Sequence, residues 1–203
     1  MIGFNVRLDE NDVARAKRML RAVPNGFPRA ASRAINKTAT RARTLVIGGI
    51  RAERPGLPVK SLRKAVTLRR ASFGKLSAWI TISTRRVPLI EMAPNPKTPE
   101  RDLGRSRRRG VSVKAAKGGR VRLRHAFIAR MPSGRVGVFS RRNAQFGRYG
   151  AARLPIFELR GPSAAVVLDE AGNLEAEVER QTEANLTADL GTQVDLLLRR
   201  ASK

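Results

Sequence analysis

Residues 28–46 read PRAASRAINKTATRARTLV, and the rest of the chain has to be built around this stretch. Pro28 suits the first turn of a helix, where its missing N–H is not needed. From there Ala31, Ala34, Ile35, Thr38, Ala42, Leu45 and Val46 fall on one stripe at helical spacing. The stripe predicts a long helix that ends at about Gly48-Gly49. Much of it is alanine, so the helix can approach a neighbour closely. On the other side Arg29, Arg33, Lys37 and Arg41 stand four apart. A step of four drifts about 40° on an α-helix, so these side chains form one slanted basic ridge. No acid occurs from Val13 to Arg51, so the ridge repels itself unless a counter-charge comes from elsewhere.

Working outward, Ile2, Phe4, Val6 and Leu8 alternate with Gly3, Asn5 and Arg7, the pattern of a strand with one face in a core. Asp9 or Asn11 can cap a following helix, with Glu10 and Asp12 well placed in its first turn. Val13, Ala16, Leu20 and Val23 form its stripe, and Pro24-Asn25-Gly26 stops it. Downstream of the central helix, Pro55-Gly56-Leu57-Pro58 reads as a loop and Ser61–Lys64 as one helical turn. Ala65–Leu68 and Leu76–Thr84 read as strands, joined by a turn at Ser72-Phe73-Gly74-Lys75. Val87-Pro88-Leu89-Ile90 reads as an edge segment, because proline is confined to edges.

Residues 93–119 change texture. Pro94, Pro96 and Pro99 precede Arg105, Arg107, Arg108 and Arg109, then Lys114, Lys117 and two glycines. The expectation is a long basic loop that becomes ordered only against a partner. Strands return at Val121–Leu123, Phe127–Ala129 and Val136–Phe139, with a hairpin over 129–139 turning at Pro132-Ser133-Gly134. A second basic loop, 141–153, leads to Leu154-Pro155-Ile156 and then to a C-terminal helix at about 163–200. Its stripes are Leu174 and Val178, then Leu186, Leu190, Val194 and Leu197, with a break expected near Ala171-Gly172-Asn173. The class is α+β: an antiparallel sheet packed against a long N-terminal helix pair and a long C-terminal helix, with extended basic loops, all in one domain spanning 1–203.

Composition narrows the function. The 203 residues hold 42 Lys and Arg against 16 Asp and Glu, a formal net charge of +26. From Asp169 to Lys203 the balance reverses, with eight acids against four bases. Between Val13 and Ile90, Glu53 is the only acid against 19 bases. Solubility needs a net charge of only about 2–8, so a surface this positive points to a polyanion or to acidic protein partners. Aromatics are only 4% of the chain, so any core is mostly aliphatic. With no cysteine there is no disulfide framework, thiolate metal site or cysteine nucleophile. The longest apolar run, Leu45-Val46-Ile47, falls far short of the roughly 20 residues needed to span a bilayer. Arg7, Asp9 and Glu10 interrupt the start before an apolar signal region can form, so the reading is a soluble protein made in a reducing compartment.

Motifs of catalysis do not assemble. Gly74-Lys75 lacks the remainder of a phosphate-binding loop, and no dinucleotide, nucleophile-elbow or zinc-protease motif occurs. His125, the one histidine, sits beside Arg124, and Glu53, Glu91 and Glu158 are isolated. No catalytic residue, metal or cofactor is expected, and the chain does not read as an enzyme. Few aromatics are available to stack on bases, so any nucleic acid would be met by charge and shape.

The order of these features resembles the prophage minor tail protein Z family, the tail-completion proteins of long-tailed bacteriophages. The resemblance rests on Ala30–Ala39, on Val59–Val66, on Arg86-Val87-Pro88-Leu89-Ile90 and on the arginines at 105–109. It continues through Ala126–Arg130 into Gly134–Val138, then Leu154-Pro155-Ile156 and Gly161-Pro162-Ser163. It implies a structural virion protein at the head-proximal end of the tail, made in the bacterial cytoplasm, which finishes the tail and readies it to join the head. It also implies a ring, six-fold by expectation, around the channel through which the genome passes. The partners would be other copies of the chain, neighbouring tail and neck proteins, and genomic DNA, with no membrane. The candidates for facing DNA or an anionic partner are Arg29, Arg33, Lys37, Arg41, Arg105, Arg107, Arg108 and Arg109. Leu186, Leu190, Val194 and Leu197 are the candidates for a subunit interface. The alternative is a sequence-nonspecific nucleic-acid-binding protein of ribosomal or nucleoid type.

Overall fold

Alternating residues at the amino terminus form β1 (Ile2–Arg7), which leads through Asp9 into α1 (Glu10–Met19). The computed structural model describes residues 2–99, 110–116, 119–141 and 156–202. Asp9 caps α1 by accepting the Asn11 N–H at 3.1 Å. Next come α2 (Gly26–Glu53), α3 (Val59–Ala65), β2 (Val66–Arg69) and β3 (Ser77–Ile82). Contacts divide the chain into two compact units, Met1–Ile50 with Arg63–Thr84 and Ala164–Lys203, and Arg51–Leu62 with Arg85–Ser163. The units interleave along the sequence, so no single cut separates them.

In the first unit β3 lies between β1 and β2, antiparallel to both. Phe4 pairs with Ile80, Val6 with Ala78 and Val66 with Ile82, and these six side chains are buried. The turn before β3 is closed by reciprocal bonds between Ser72 and Lys75. It is also held to α2, because the Asn36 amide donates to the Ala71 carbonyl and accepts the Ala71 N–H.

The central helix outruns its expected end. It continues through Gly48 and Gly49 to Glu53. Two glycines cost a helix about 1 kcal/mol each. Continuation puts Ile50 in the core, which offsets that cost. At Gly49 a Cβ would lie 2.4 Å from Leu174 Cδ1, so the missing side chain is the space that Leu174 fills. Pro55 then ends the run, since the residue before a proline avoids helical backbone.

The C-terminal segment forms α4 (Ala164–Glu170) and α5 (Leu174–Ala201), separated at the break expected from Gly172, which has φ +57°. Ala30 and Ala34 of α2 pack with Ala16 and Leu20 and with Leu190, Val194 and Leu197 of α5 in one buried cluster. The alanines set how closely the helices approach. Ala34→Leu is expected to destabilise the fold by about 1–3 kcal/mol through overpacking, read as a lower urea midpoint at an unchanged slope.

In the second unit's longer segment, from Arg85 onward, regular structure begins with a single 3-10 turn, Leu89–Glu91, where the sequence suggested an edge strand. Pro88 still makes one bridge, to Arg160. Then come β4 (Val111–Ala116), β5 (Gly119–Leu123), β6 (Ala126–Arg130), β7 (Val136–Arg141) and β8 (Ile156–Glu158). β4 and β5 form a two-stranded hairpin, and β6, β7 and β8 a second antiparallel sheet in that order. The expected long loop at 93–119 therefore contains a strand. Val111 and Val113 are buried while Ser112 and Lys114 face the other way, and that alternation outweighs the loop-like composition around it. Residues 100–109 and 117–118 of that segment, and most of the 141–153 loop, lie outside the described residues. In all, helices and antiparallel sheets give the α+β class.

Candidate functional site

The basic ridge of α2 is present as a helix face, because the opposite face is fully committed to the core. Ala30, Ala31, Ala34, Ile35, Thr38, Ala39 and Ala42 are buried, and Arg29, Arg33, Lys37 and Arg41 are exposed. The structure divides the ridge in two. Lys37 Nζ lies 2.7 Å from Asp189 of α5, and Arg41 donates to both oxygens of the same carboxylate at 3.2 Å. The buried Thr38 hydroxyl donates to Asp189 at 3.0 Å. Asp189 is 3% exposed. One carboxylate thus serves two cations and a hydroxyl, leaving a local excess of one positive charge. Arg29 and Arg33 meet no carboxylate among the described residues.

The acidic helix therefore meets the basic ridge within one chain. That contact supplies part of the counter-charge which the ridge lacks along its own helix. The four candidates for a subunit interface lie on the same helix. Leu186, Leu190, Val194 and Leu197 are all buried within their own chain, the last three on α1 and α2. Periodicity marks a buried stripe without saying what covers it. Arg105, Arg107, Arg108 and Arg109 lie outside the described residues.

A similar sharing occurs in the second unit. Glu158 of β8 accepts from Arg135 at 2.6 Å and from Arg160 at 2.8 Å. Read in sequence, Glu158 stood alone; in the structure it holds two arginines. Arg43 acts differently, donating to the carbonyls of Val66 at 2.8 Å and Arg63 at 2.7 Å, where α3 gives way to β2. It caps carbonyls and so serves the fold.

The β4–β5 hairpin presents further cations that the sequence reading did not single out. Lys114 stands opposite Arg120 and Ser112 opposite Arg122, on the face away from buried Val111 and Val113. Lys114, Arg120 and Arg122 are exposed. The signal was available in the residues Arg120, Arg122 and Arg124, which alternate along a strand. No group of three or more metal-ligating side chains exists among the described residues. An open cleft of about 700 Å³ in the first unit is lined by Asp9, Glu10, Asp12 and Glu183. Two of these are already engaged, Asp9 as the α1 cap and Asp12 as acceptor of the Thr187 hydroxyl at 3.0 Å. His125 is exposed in the turn after β5.

A family model described as prophage minor tail protein Z (GPZ) matches residues 13–203. The chain belongs to the prophage minor tail protein Z family. Comparison with curated proteins and with solved structures finds no match. The match runs from within α1 past the end of α5, so the helix carrying Asp189 and the ridge it partly offsets both lie inside the family region. As a minor tail protein of the Z family, the chain is a structural component of a phage tail and has its place in the virion. No helix among its described residues is long and apolar enough to cross a membrane.

Proposed function

We propose that this minor tail protein acts at the head-proximal end of the tail, in the neck. There it completes the tail and makes it competent to join the head. It does so as a ring of copies around the DNA channel, with six as the expected number, and without catalysing a reaction. The observation that carries this reading is the surplus of positive charge that the fold leaves unmatched. Asp189 offsets only part of the α2 ridge, and Arg29 and Arg33 remain exposed without a carboxylate. A ring of such chains concentrates charge of one sign and closes only where anionic surfaces oppose it. DNA in the channel and acidic faces of neighbouring tail and neck proteins supply those surfaces.

The reading is tested by placing the protein in the intact particle. Electron cryomicroscopy of tails, with a tag on the chain, should show density for it at the head-proximal end and nowhere along the tube. Purified protein should also form concentration-dependent oligomers in the absence of nucleic acid, seen by sedimentation. Density at the distal tip would overturn the neck assignment. A strict monomer at all concentrations, oligomerising only on nucleic acid, would favour a nucleic-acid-binding protein instead.

A further inference from the structure

We infer that the β4–β5 hairpin is a ribbon that grips the phosphate backbone of double-stranded DNA. The inference takes its biological setting from the channel reading above and its chemistry from the hairpin alone. Lys114 and Arg120 stand directly opposite each other across the two strands. Like charges in that position destabilise a hairpin. Arg120 does not relieve the problem by finding an acid. Its Nε donates to Ser112 Oγ at 3.2 Å, and its Nη2 donates to the Ser112 carbonyl at 2.9 Å and the Ala93 carbonyl at 2.6 Å. All three acceptors are neutral, so the guanidinium is held in place with its charge uncompensated. No carboxylate among the described residues pairs with Lys114, Arg120 or Arg122.

The ribbon is also firmly placed. On its other edge β4 is tied to the preceding segment, with Asn95 and Ser112 exchanging backbone bonds at 2.8 and 3.0 Å and the Lys114 N–H donating to the Met92 carbonyl at 3.1 Å. The charges therefore sit on an ordered platform. Arg120 and Arg122 are two residues apart on one strand, a separation of about 6.8 Å, and the partner strand lies about 4.8 Å away. One strand of duplex DNA carries a negative charge every 3.4 Å or so of helix axis, so a patch of this size meets about two phosphates whatever the sequence.

Chemistry favours a polyanion over an acidic protein. From Leu103 to Phe157 the chain holds fifteen Lys or Arg and no acid. The exposed face of the hairpin is Ser112, Lys114, Arg120 and Arg122, with no aromatic or aliphatic anchor. Protein interfaces are centred on such anchors and are depleted of lysine, whereas phosphate contacts need only donors and charge. The lack of an aromatic on this face also argues for duplex over single strand, which is bound largely by stacking.

The test uses the full-length protein and a mixed-sequence DNA duplex of about three helical turns, with binding followed by fluorescence anisotropy over a range of salt. The variant Lys114→Gln with Arg122→Gln removes two charges and leaves every Arg120 bond intact, so the hairpin is retained. The slope of log K against log salt should become shallower by about 1.8, which corresponds to a roughly 60-fold loss of affinity near 0.1 M salt. A control, Arg15→Gln with Arg18→Gln on exposed positions of α1, removes the same charge elsewhere and should change the slope little. The proposal is overturned if the wild-type protein does not bind duplex, if the hairpin variant keeps its slope, or if the control loses as much. Tighter binding to a single strand, or displacement of the duplex by polyglutamate at equal charge, would overturn it too. None of these outcomes bears on where the protein sits in the particle, so the neck assignment stands or falls separately.

Discussion

Replacing Lys37 and Arg41 together with glutamine is expected to destabilise the fold by about 2–4 kcal/mol, more than the two single changes combined. Asp189 is buried and holds both cations, so either one alone still offers it a counter-charge. Removing both leaves the carboxylate with the Thr38 hydroxyl as its partner among these contacts. Breaking a buried ion pair from one side costs about 3–5 kcal/mol, because the remaining charge is uncompensated. Here the cation side chains are 44% and 49% exposed, so solvent already weakens the pairs and lowers the expected loss to about 2–4 kcal/mol. Adding Asp189→Asn to the double variant should recover much of the loss, since the amide still accepts from Thr38 and carries no charge. Urea denaturation of the wild type, both single variants, the double and the triple variant measures the coupling. Additive single losses, or no recovery with asparagine, would show that the cations do not serve Asp189. For the ridge as a whole, relief of self-repulsion is then smaller than the cost of stripping Asp189. A variant with all four ridge residues changed to glutamine should therefore lose stability.

Gly110→Ala should open the β4–β5 hairpin. Gly110 has φ +69°, in the left-handed region that L side chains rarely adopt. That alone costs about 1–2 kcal/mol. A Cβ there would also lie 2.3 Å from the Leu123 carbonyl oxygen and 2.7 Å from Arg124 Cα. Those atoms belong to backbone at the end of β5, so they can give way only by breaking the strand pairing. The combined loss should exceed about 3 kcal/mol and fall on the hairpin, seen as fast hydrogen exchange of its amides while those of α2 stay protected. Gly134→Ala is the matched control. Gly134 has φ +80° and nothing within 4 Å of an added Cβ, so it should cost the backbone term alone. Equal effects at both positions would mean that the contact at Gly110 is not what holds the hairpin. If the hairpin is the DNA ribbon, Gly110→Ala should also weaken duplex binding without removing a charge.

The elements whose signals are local were legible along the chain. β1 follows from strict alternation over Ile2–Val6, α2 from an alanine-rich stripe, and the 129–139 hairpin from a glycine turn. The break at Ala171-Gly172-Asn173 was equally legible, because glycine in the left-handed region ends a helix whatever surrounds it. The basic ridge was legible too, since four residues at spacing four share a face on any helix. What meets that face is set by long-range packing. Thr38 and Asp189 are 151 residues apart in sequence, and no local pattern marks one acid on α5 as the one that is buried. Nor could periodicity tell that Leu190, Val194 and Leu197 pack on α1 and α2 of the same chain, because an apolar stripe looks the same whether its cover comes from within or from a neighbour. At β4 local composition misled, with prolines, glycines and arginines around a strand whose only signal is Val111 and Val113. Those two valines become a strand because β5 and the Asn95 backbone satisfy their neighbours' hydrogen bonds, a condition met by chain segments on either side and set by the fold.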